Sequence, residues 1–195
     1  IKKGGCMNYN FIIYEKKQGL AVITLNRPEV LNALNFEMVC EIEDAASDIS
    51  KSSDVSALII CGTKGNFAAG ADIPPMLDLN PQQARERTFN RTYNMIENLK
   101  IPVVAAISGY ALGGGLELAL ACDIRICSAD AILGLPEIKL GIFPGAGGTQ
   151  RLPAIIGSGR AKDMIFTGSP VNAAKALEYG LCSMVTDNDV LEEAV

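Results

Sequence analysis

Histidine is absent from this 195-residue chain, and so is tryptophan. Without an imidazole there is no Ser-His-Asp or Cys-His relay, so proton transfer near neutral pH falls to carboxylates, lysine, tyrosine or a thiol. The six cysteines (Cys6, Cys40, Cys61, Cys122, Cys127, Cys182) form no CxxC pair. Cys122 and Cys127 are separated by four residues, and with no histidine to join them they do not read as a zinc site. Scattered thiols are expected to be buried in a reducing compartment. No signal-peptide core opens the chain, so a cytoplasmic location is expected. No apolar run approaches the roughly 18 residues of a membrane span; Ile101–Ser108 has the length of a buried strand. Basic residues are also in the minority, 17 against 22 acidic, for a net charge of −5. That balance argues against a nucleic-acid surface, though a locally basic pocket for a phosphorylated ligand stays compatible with it.

What is present is the material of one folded domain: 49% apolar and 20% charged residues, enough for a substantial core. Ile1–Cys6 read as residues placed ahead of a natural start at Met7, leaving a single domain from Met7 to Val195. Asn10–Glu15 and Leu20–Asn26 are expected to be strands joined through Lys16-Lys17-Gln18-Gly19. Met38, Val39, Ile42, Ala45, Ala46 and Ile49 recur at helical spacing behind Asn35, a plausible cap. Val55–Cys61, Pro102–Ile107 and Asp123–Cys127 are further strand candidates. Asn80-Pro81-Gln82-Gln83 has the signature of a helix start, followed by a face of Phe89, Thr92, Tyr93, Ile96 and Leu99. Leu116–Ala121 reads as a buried helix. From Gly148 the pattern is helical again, with Asn172 as a cap and Gly180 as a stop. Strands alternating with helices give an α/β domain with parallel pairing.

Three glycine-bearing segments stand out: Phe67–Asp72, Gly113–Glu117, and Leu135–Gly145 continuing through Gln150. None is a common phosphate loop. Gly145–Gln150 lacks the last glycine of G-x-G-x-x-G and no GK[ST] occurs, which sets nucleotide hydrolysis aside. Phe67–Asp72 and Gly113–Glu117 each read as a strand end, small residues and a helix start. Each could aim a free backbone N–H into one cleft, and two such donors make an oxyanion hole. Tight helix–strand packing is the alternative reading of the same glycines. Glu117 and Glu137 are the candidate acid/base pair, since two carboxyls can divide those duties at one centre. Taken singly, Glu117 could instead be a dipole partner in a helix's first turn, and Glu137 a surface residue.

These residues resemble the crotonase (enoyl-CoA hydratase/isomerase) family. The resemblance rests on Ile23–Pro28 with Leu31–Leu34, Phe67–Ile73, Ile107–Glu117, Ala121–Arg125 and Leu135–Leu152, in order, from about Asn10 to Thr186. It implies an α/β fold built as a spiral of ββα units. It also implies that the family's C-terminal helical segment is missing after Val195; with that segment, a homotrimer or dimer of trimers would be expected.

The same resemblance implies addition of water to a 2-trans-enoyl-CoA, coenzyme A arriving as part of the substrate with no separate cofactor or metal. The oxyanion donors would be Ala71 and Gly114. Glu117 would act as base toward water, Glu137 would protonate the α-carbon, and Gly145 would help orient the water. Both glutamates are present, whereas many isomerases of this fold keep only the second. Val30, Leu31, Ala33, Ala69, Gly70, Asp72 and Ile73, beside Ala71, would lie along coenzyme A. Glu29 and Pro74 stand where family members often carry lysine, which weakens the expected hold on the nucleotide's phosphates. Arg27, Arg125 and Arg151 read as structural. The alternatives are double-bond isomerisation or other acyl-CoA chemistry, and a non-catalytic CoA- or RNA-binding relative. The helix from Phe36 to Ser50, with Glu37, Glu41, Glu43, Asp44 and Asp48 and no basic residue, counts against RNA.

Overall fold

Gln18 and Gly19 both take positive φ (53° and 83°), the turn geometry that suits the twist of a two-residue hairpin. They join β1 (Ile12–Lys17) to β2 (Leu20–Leu25) in antiparallel register, Lys17 opposite Leu20. This computed structural model describes residues 9–77, 79–80, 82–83 and 89–195. From β2 onward the main sheet is parallel. β3 (Ala57–Gly62), β4 (Val103–Ile107), β6 (Ile124–Ser128) and β9 (Met184–Thr186) extend it in the order β1-β2-β3-β4-β6-β9. A second sheet holds β5 (Tyr110–Leu112), β7 (Ile132–Gly134) and β8 (Val171–Asn172), ordered β5-β7-β8.

The near-continuous apolar sequence of β3 has a direct cause, because both faces of the sheet are covered. Leu58 and Ile60 belong to the main core, with Met38, Ile42 and Ile49 of α1 (Phe36–Lys51) and Tyr93 and Ile96 of α2 (Asn90–Glu97). Ile59 and Cys61 point the other way, into a smaller cluster with Ala106, Ile126 and Val190. Val190 comes from the short helix Val190–Ala194. α3 (Gly114–Leu120) is buried along its whole length. The helices Gly148–Ile156 (α4), Ser158–Thr167 (α5) and Ala173–Tyr179 (α6) complete the order among the described residues, before the terminal helix Val190–Ala194 (α7).

Asn35 caps α1 by accepting from Met38 N at 2.8 Å, Asn172 caps α6 through Lys175 N, and Gly180 ends α6 in the left-handed region. The Asn80 side chain accepts from Gln82 N and Gln83 N at 3.0 and 2.9 Å, while Gln83 Oε1 accepts from Asn80 N. That is the reciprocal capping arrangement expected at a helix start. Pro81 and residues 84–88 of the expected helix lie outside the described residues, as do Ile1–Cys6 and the natural start expected at Met7.

Two expectations are corrected. Phe67–Asp72 does not run into an α-helix. It is held by single bridges, Leu34 to Ala71 and Ala68 to Ala111, and is followed only by a 3-10 turn, Pro74–Met76. The bonds there, Met76 N to Ile73 O and Leu77 N to Pro74 O at 2.8 and 3.3 Å, each span three residues, the tighter 3-10 pattern. Cys40 is exposed, on the outer face of α1, whereas Cys61, Cys122, Cys127 and Cys182 are buried; Cys6 is outside the described residues.

Ala71 lies in the loop leaving β3, and Gly114 opens α3 after β4 and the short β5, so the site lies beyond the carboxyl ends of adjacent parallel strands, the usual ligand-binding position of such sheets. The loop Arg27–Ala33 is fastened to them by Asn32, which is fully buried with φ 56°. Its side chain donates to Thr63 O and Asn66 O at 3.1 and 2.7 Å and accepts from Arg27 N at 2.9 Å. Replacing Asn32 by alanine strands all three groups and puts a Cβ-bearing apolar residue in a left-handed position. Urea unfolding of Asn32→Ala should show a loss of about 2–4 kcal/mol; a loss under about 0.5 kcal/mol, the range of an inconsequential surface change, would contradict this anchoring role.

Candidate active site

Gly113, Gly114 and Gly115 do three different things. Gly113 caps α3 with φ 49° and ψ −125°, and a Cβ there would sit 3.1 Å from Glu137 Oε1. Gly115 is a packing glycine, since its Cβ would fall 2.3 Å from Ala68 O. Gly114 faces the cleft, where an added Cβ would lie 3.7 Å from Ala71 N. Both readings of the segment therefore hold, at neighbouring residues. Ala71 N has no backbone acceptor among the described residues, and Gly114 N is the first helical donor of α3, one of those a helix leaves unpaired. Tyr93, fully buried, donates from its hydroxyl to Gly114 O at 2.9 Å and so fixes the next peptide, Gly114–Gly115.

Ala71, Gly114, Glu117, Glu137 and Gly145 line one cleft of about 210 Å³, walled by Met76, Phe89, Ile142 and Phe143. All five residues expected at the reacting centre are thus brought together. Glu117 is only 3% exposed. Its Oε1 accepts from Ala146 N and Gly148 N, each at 2.8 Å. The carboxylate therefore reaches past its own helix to the N-terminus of α4, where it meets oriented N–H groups. Burial raises its pKa, and the two backbone bonds, with the nearby Arg151 charge, oppose that rise.

Glu137 has a different environment. It sits in the 3-10 turn Pro136–Leu140, half-buried, and its Oε2 is enclosed without a hydrogen-bond partner among the described residues. Burial, and secondarily the negative charge of Glu117, push it up to about 7. A hydrogen bond from its own backbone N–H opposes the rise without offsetting the burial, so the neutral form is favoured. Both carboxyls are pushed toward the neutral form, but the rise at Glu117 is opposed by two backbone donors and the Arg151 charge, while Glu137 is carried up to about 7.

The loop between Gly145 and Gly148 is shaped by Arg151. Its Nη1 donates to Ala146 O at 2.9 Å, and its Nη2 to Asn94 Oδ1 and Glu97 Oε2 at 2.6 and 2.7 Å. Gly147 takes φ 104°, and a Cβ there would lie 2.0 Å from Arg151 Nη1. Asn90 Nδ2 donates to Gly145 O at 2.7 Å, tying the same loop to α2. Arg125 donates to four carbonyls, those of Leu181, Cys122, Ala119 and Asp123. Arg27 donates to Ala33 O at 2.6 Å and pairs with Asp72 at 3.0 Å. All three arginines fix backbone, as their motifs suggest.

Val30, Leu31, Ala33, Ala69, Gly70, Asp72 and Ile73 lie along two paired segments. Ala69 N donates to Leu31 O, Leu34 N to Gly70 O and Asp72 N to Leu34 O, at 3.0, 2.8 and 2.9 Å. The strip leads to Ala71 and leaves Val30, Leu31 and Ile73 about 40% exposed (39%, 43% and 44%). Glu29 and Pro74 are exposed beside it, with no lysine at either position. Phe89 and Tyr93 read in sequence as a plain core face, and their site roles were not legible there. A hydroxyl among apolar helix positions was the one available signal, because a buried tyrosine needs a partner. Met76, Ile142 and Phe143 gave no signal at all. Among the described residues no cluster of three or more His, Cys, Asp or Glu side chains could hold a metal ion, and no helix is long and apolar enough to cross a membrane.

Residues 15–195 match the family model described as enoyl-CoA hydratase/isomerase. The crotonyl-CoA hydratase of Syntrophomonas wolfei is 44% identical over 188 residues, 95% of this chain and 72% of that protein. The short-chain-enoyl-CoA hydratase of Clostridium acetobutylicum is 44% identical over 184 residues, 93% and 70% of the two chains. Among solved structures, an enoyl-CoA hydratase from Bacillus anthracis superposes with a TM-score of 0.91 at 40% identity, covering 95% of this chain and 74% of its own. By sequence match, by architecture and by the site these residues assemble, the chain belongs to the enoyl-CoA hydratase/isomerase family, within the crotonase superfamily.

Proposed function

We propose that this chain adds water reversibly across the double bond of a 2-trans-enoyl-CoA to give the 3-hydroxyacyl-CoA. The observation that carries the reading is the pairing of two backbone donors, Ala71 N and Gly114 N, with two glutamates in unequal environments, one carboxylate bonded by two backbone N–H groups and the other with an unpartnered oxygen. The relatives named as hydratases support it. Coenzyme A belongs to the substrate, and the reaction as written needs no other cofactor.

The thioester oxygen is placed between Ala71 N–H and Gly114 N–H, where negative charge grows as the enolate forms. Water is placed at Glu117 and the peptide of Gly145. Glu117 takes a proton from it as the water oxygen bonds to the β-carbon, and the π electrons move toward the thioester oxygen. Neutral Glu137 then gives its proton to the α-carbon as the enolate collapses. One water is consumed, Glu117 ends protonated and Glu137 ionised, and one proton passed back between them or through solvent restores the site. The unequal environments make that division of labour reasonable: a base needs its charge held, and an acid needs a proton still bound near neutral pH.

Mixing the protein with crotonyl-CoA should bleach the conjugated-enone absorbance. Glu117→Gln and Glu137→Gln should each slow that loss by about 10²–10⁴-fold, the usual worth of general acid–base groups. Full hydration by Glu117→Gln would sink the assignment of the base. Conversion of a 3-enoyl-CoA without uptake of water would favour the isomerase alternative.

The pH dependence has a definite sign. Glu137 must be protonated to act, so kcat/KM should fall as pH rises through about 7. A pH–rate profile lacking that limb would contradict the assignment of the acid. The same shift couples to stability. A carboxyl whose folded pKa is raised stabilises the fold fully below its unfolded pKa, and that contribution is lost as pH rises to about 7. Glu137→Gln, which cannot ionise, should therefore melt about 2–4 °C above the wild-type at pH 8 and show no such gain at pH 4. Equal shifts at both pH values in a thermal-melt series would show that Glu137 is not held neutral.

A further inference from the structure

Two hollows meet at the same pair of side chains. Met76 and Phe89 wall the catalytic cleft, and they also line a second cavity of about 90 Å³, bounded beyond them by Leu34, Phe36, Pro75 and Leu79. The polar side chains at its edge are already committed: Asn35 caps α1, and Asp72 is paired with Arg27. Among the described residues, hydrocarbon contact is what this cavity has to offer a ligand. Phe89 stands directly over the oxyanion glycine, since a Cβ on Gly114 would lie 3.6 Å from its Cδ2 and Cε2. Its ring also packs on Tyr93 at 5.9 Å between centroids. Met76 closes the 3-10 turn Pro74–Met76 and is 45% exposed, so its side chain has room to move.

We propose that Phe89 and Met76 form a partition that sets acyl-chain length, and that the cavity behind them takes the distal methylenes of longer enoyl chains once the partition is opened. This rests on the hydratase reading, which places the thioester carbonyl at Ala71 and Gly114 and sends the acyl chain along the wall made by these two residues. With the ring as seen, the 210 Å³ cleft suits a short chain. The space behind it holds about three groups the size of a water, close to that of a methylene. Each methylene moved from water into hydrocarbon is worth about fourfold in binding, so three of them are enough to reorder chain-length preference.

The test compares ratios within each protein, so that a general loss of activity cancels. Affinities for butyryl-CoA and octanoyl-CoA would be measured by calorimetry on the wild-type, Phe89→Ala and Met76→Ala, beside kcat/KM for crotonyl-CoA and oct-2-enoyl-CoA. Phe89→Ala should raise the octanoyl-to-butyryl affinity ratio at least about tenfold, and Met76→Ala by about threefold, with the kcat/KM ratios moving the same way. Folded variants with unchanged ratios overturn the partition. Because Phe89 supports Tyr93, Met76→Ala decides the matter if Phe89→Ala does not fold. A wild-type protein that binds neither acyl-CoA overturns the hydratase reading and the partition with it. A wild-type that hydrates crotonyl-CoA while the variants' ratios stay flat overturns the partition alone.

Discussion

The bonds from Ala146 N and Gly148 N to Glu117 Oε1 are the interaction on which the site depends. A carboxylate this deeply buried is costly unless donors satisfy it. Here the donors come from a loop that nothing in its own sequence would order. The bonds therefore act in both directions: the loop opposes the rise in the Glu117 pKa that burial causes, and Glu117 holds the loop that brings Gly145 to the cleft. Arg151 completes the arrangement from behind by binding Ala146 O and by occupying the space that any side chain at Gly147 would need. Removing the carboxylate would take away more than the proposed base. It would free the wall opposite Ala71 and Gly114.

A second constraint is asymmetry. Two carboxyls share one cleft, and each makes ionisation of the other harder. The chain separates them by hydrogen bonding: Glu117 receives two backbone donors, and the enclosed Oε2 of Glu137 receives none among the described residues. An unsatisfied buried oxygen is ordinarily a defect. At this position it keeps a proton on Glu137 at a pH where an ordinary glutamate has lost it.

Much of this was legible in the sequence where the signal is local. Asn35, Asn172 and Gly180 mark helix ends by chemistry that acts within a few residues, and Lys16-Lys17-Gln18-Gly19 between two strand patterns announces a hairpin. The apolar run Val55–Cys61 announced a buried strand. The glycine segments and both glutamates were visible as motifs. The second sheet was not, because strands of two or three residues are too short to show any alternation. The 3-10 turn after Asp72 was read as an α-helix start since the small residues before it suit either. Asn32, Tyr93 and Phe89 were missed as site elements because their partners lie at Thr63, Gly114 and again Gly114, distant in sequence and joined only by the fold. The unequal environments of Glu117 and Glu137 were equally hidden, for they follow from which backbone donors end up beside each oxygen.

The most direct test is a carboxyl titration of Glu137 and Glu117 by 13C NMR on selectively labelled protein, with Glu117→Gln and Glu137→Gln used for assignment. The account predicts that Glu137 titrates near 7, with Glu117 already ionised when it does so. It also predicts that Glu137 moves down in Glu117→Gln, where its negative neighbour is gone. A Glu137 that titrates in the ordinary glutamate range, near 4.5, or a Glu117 that remains neutral while Glu137 ionises, would contradict it.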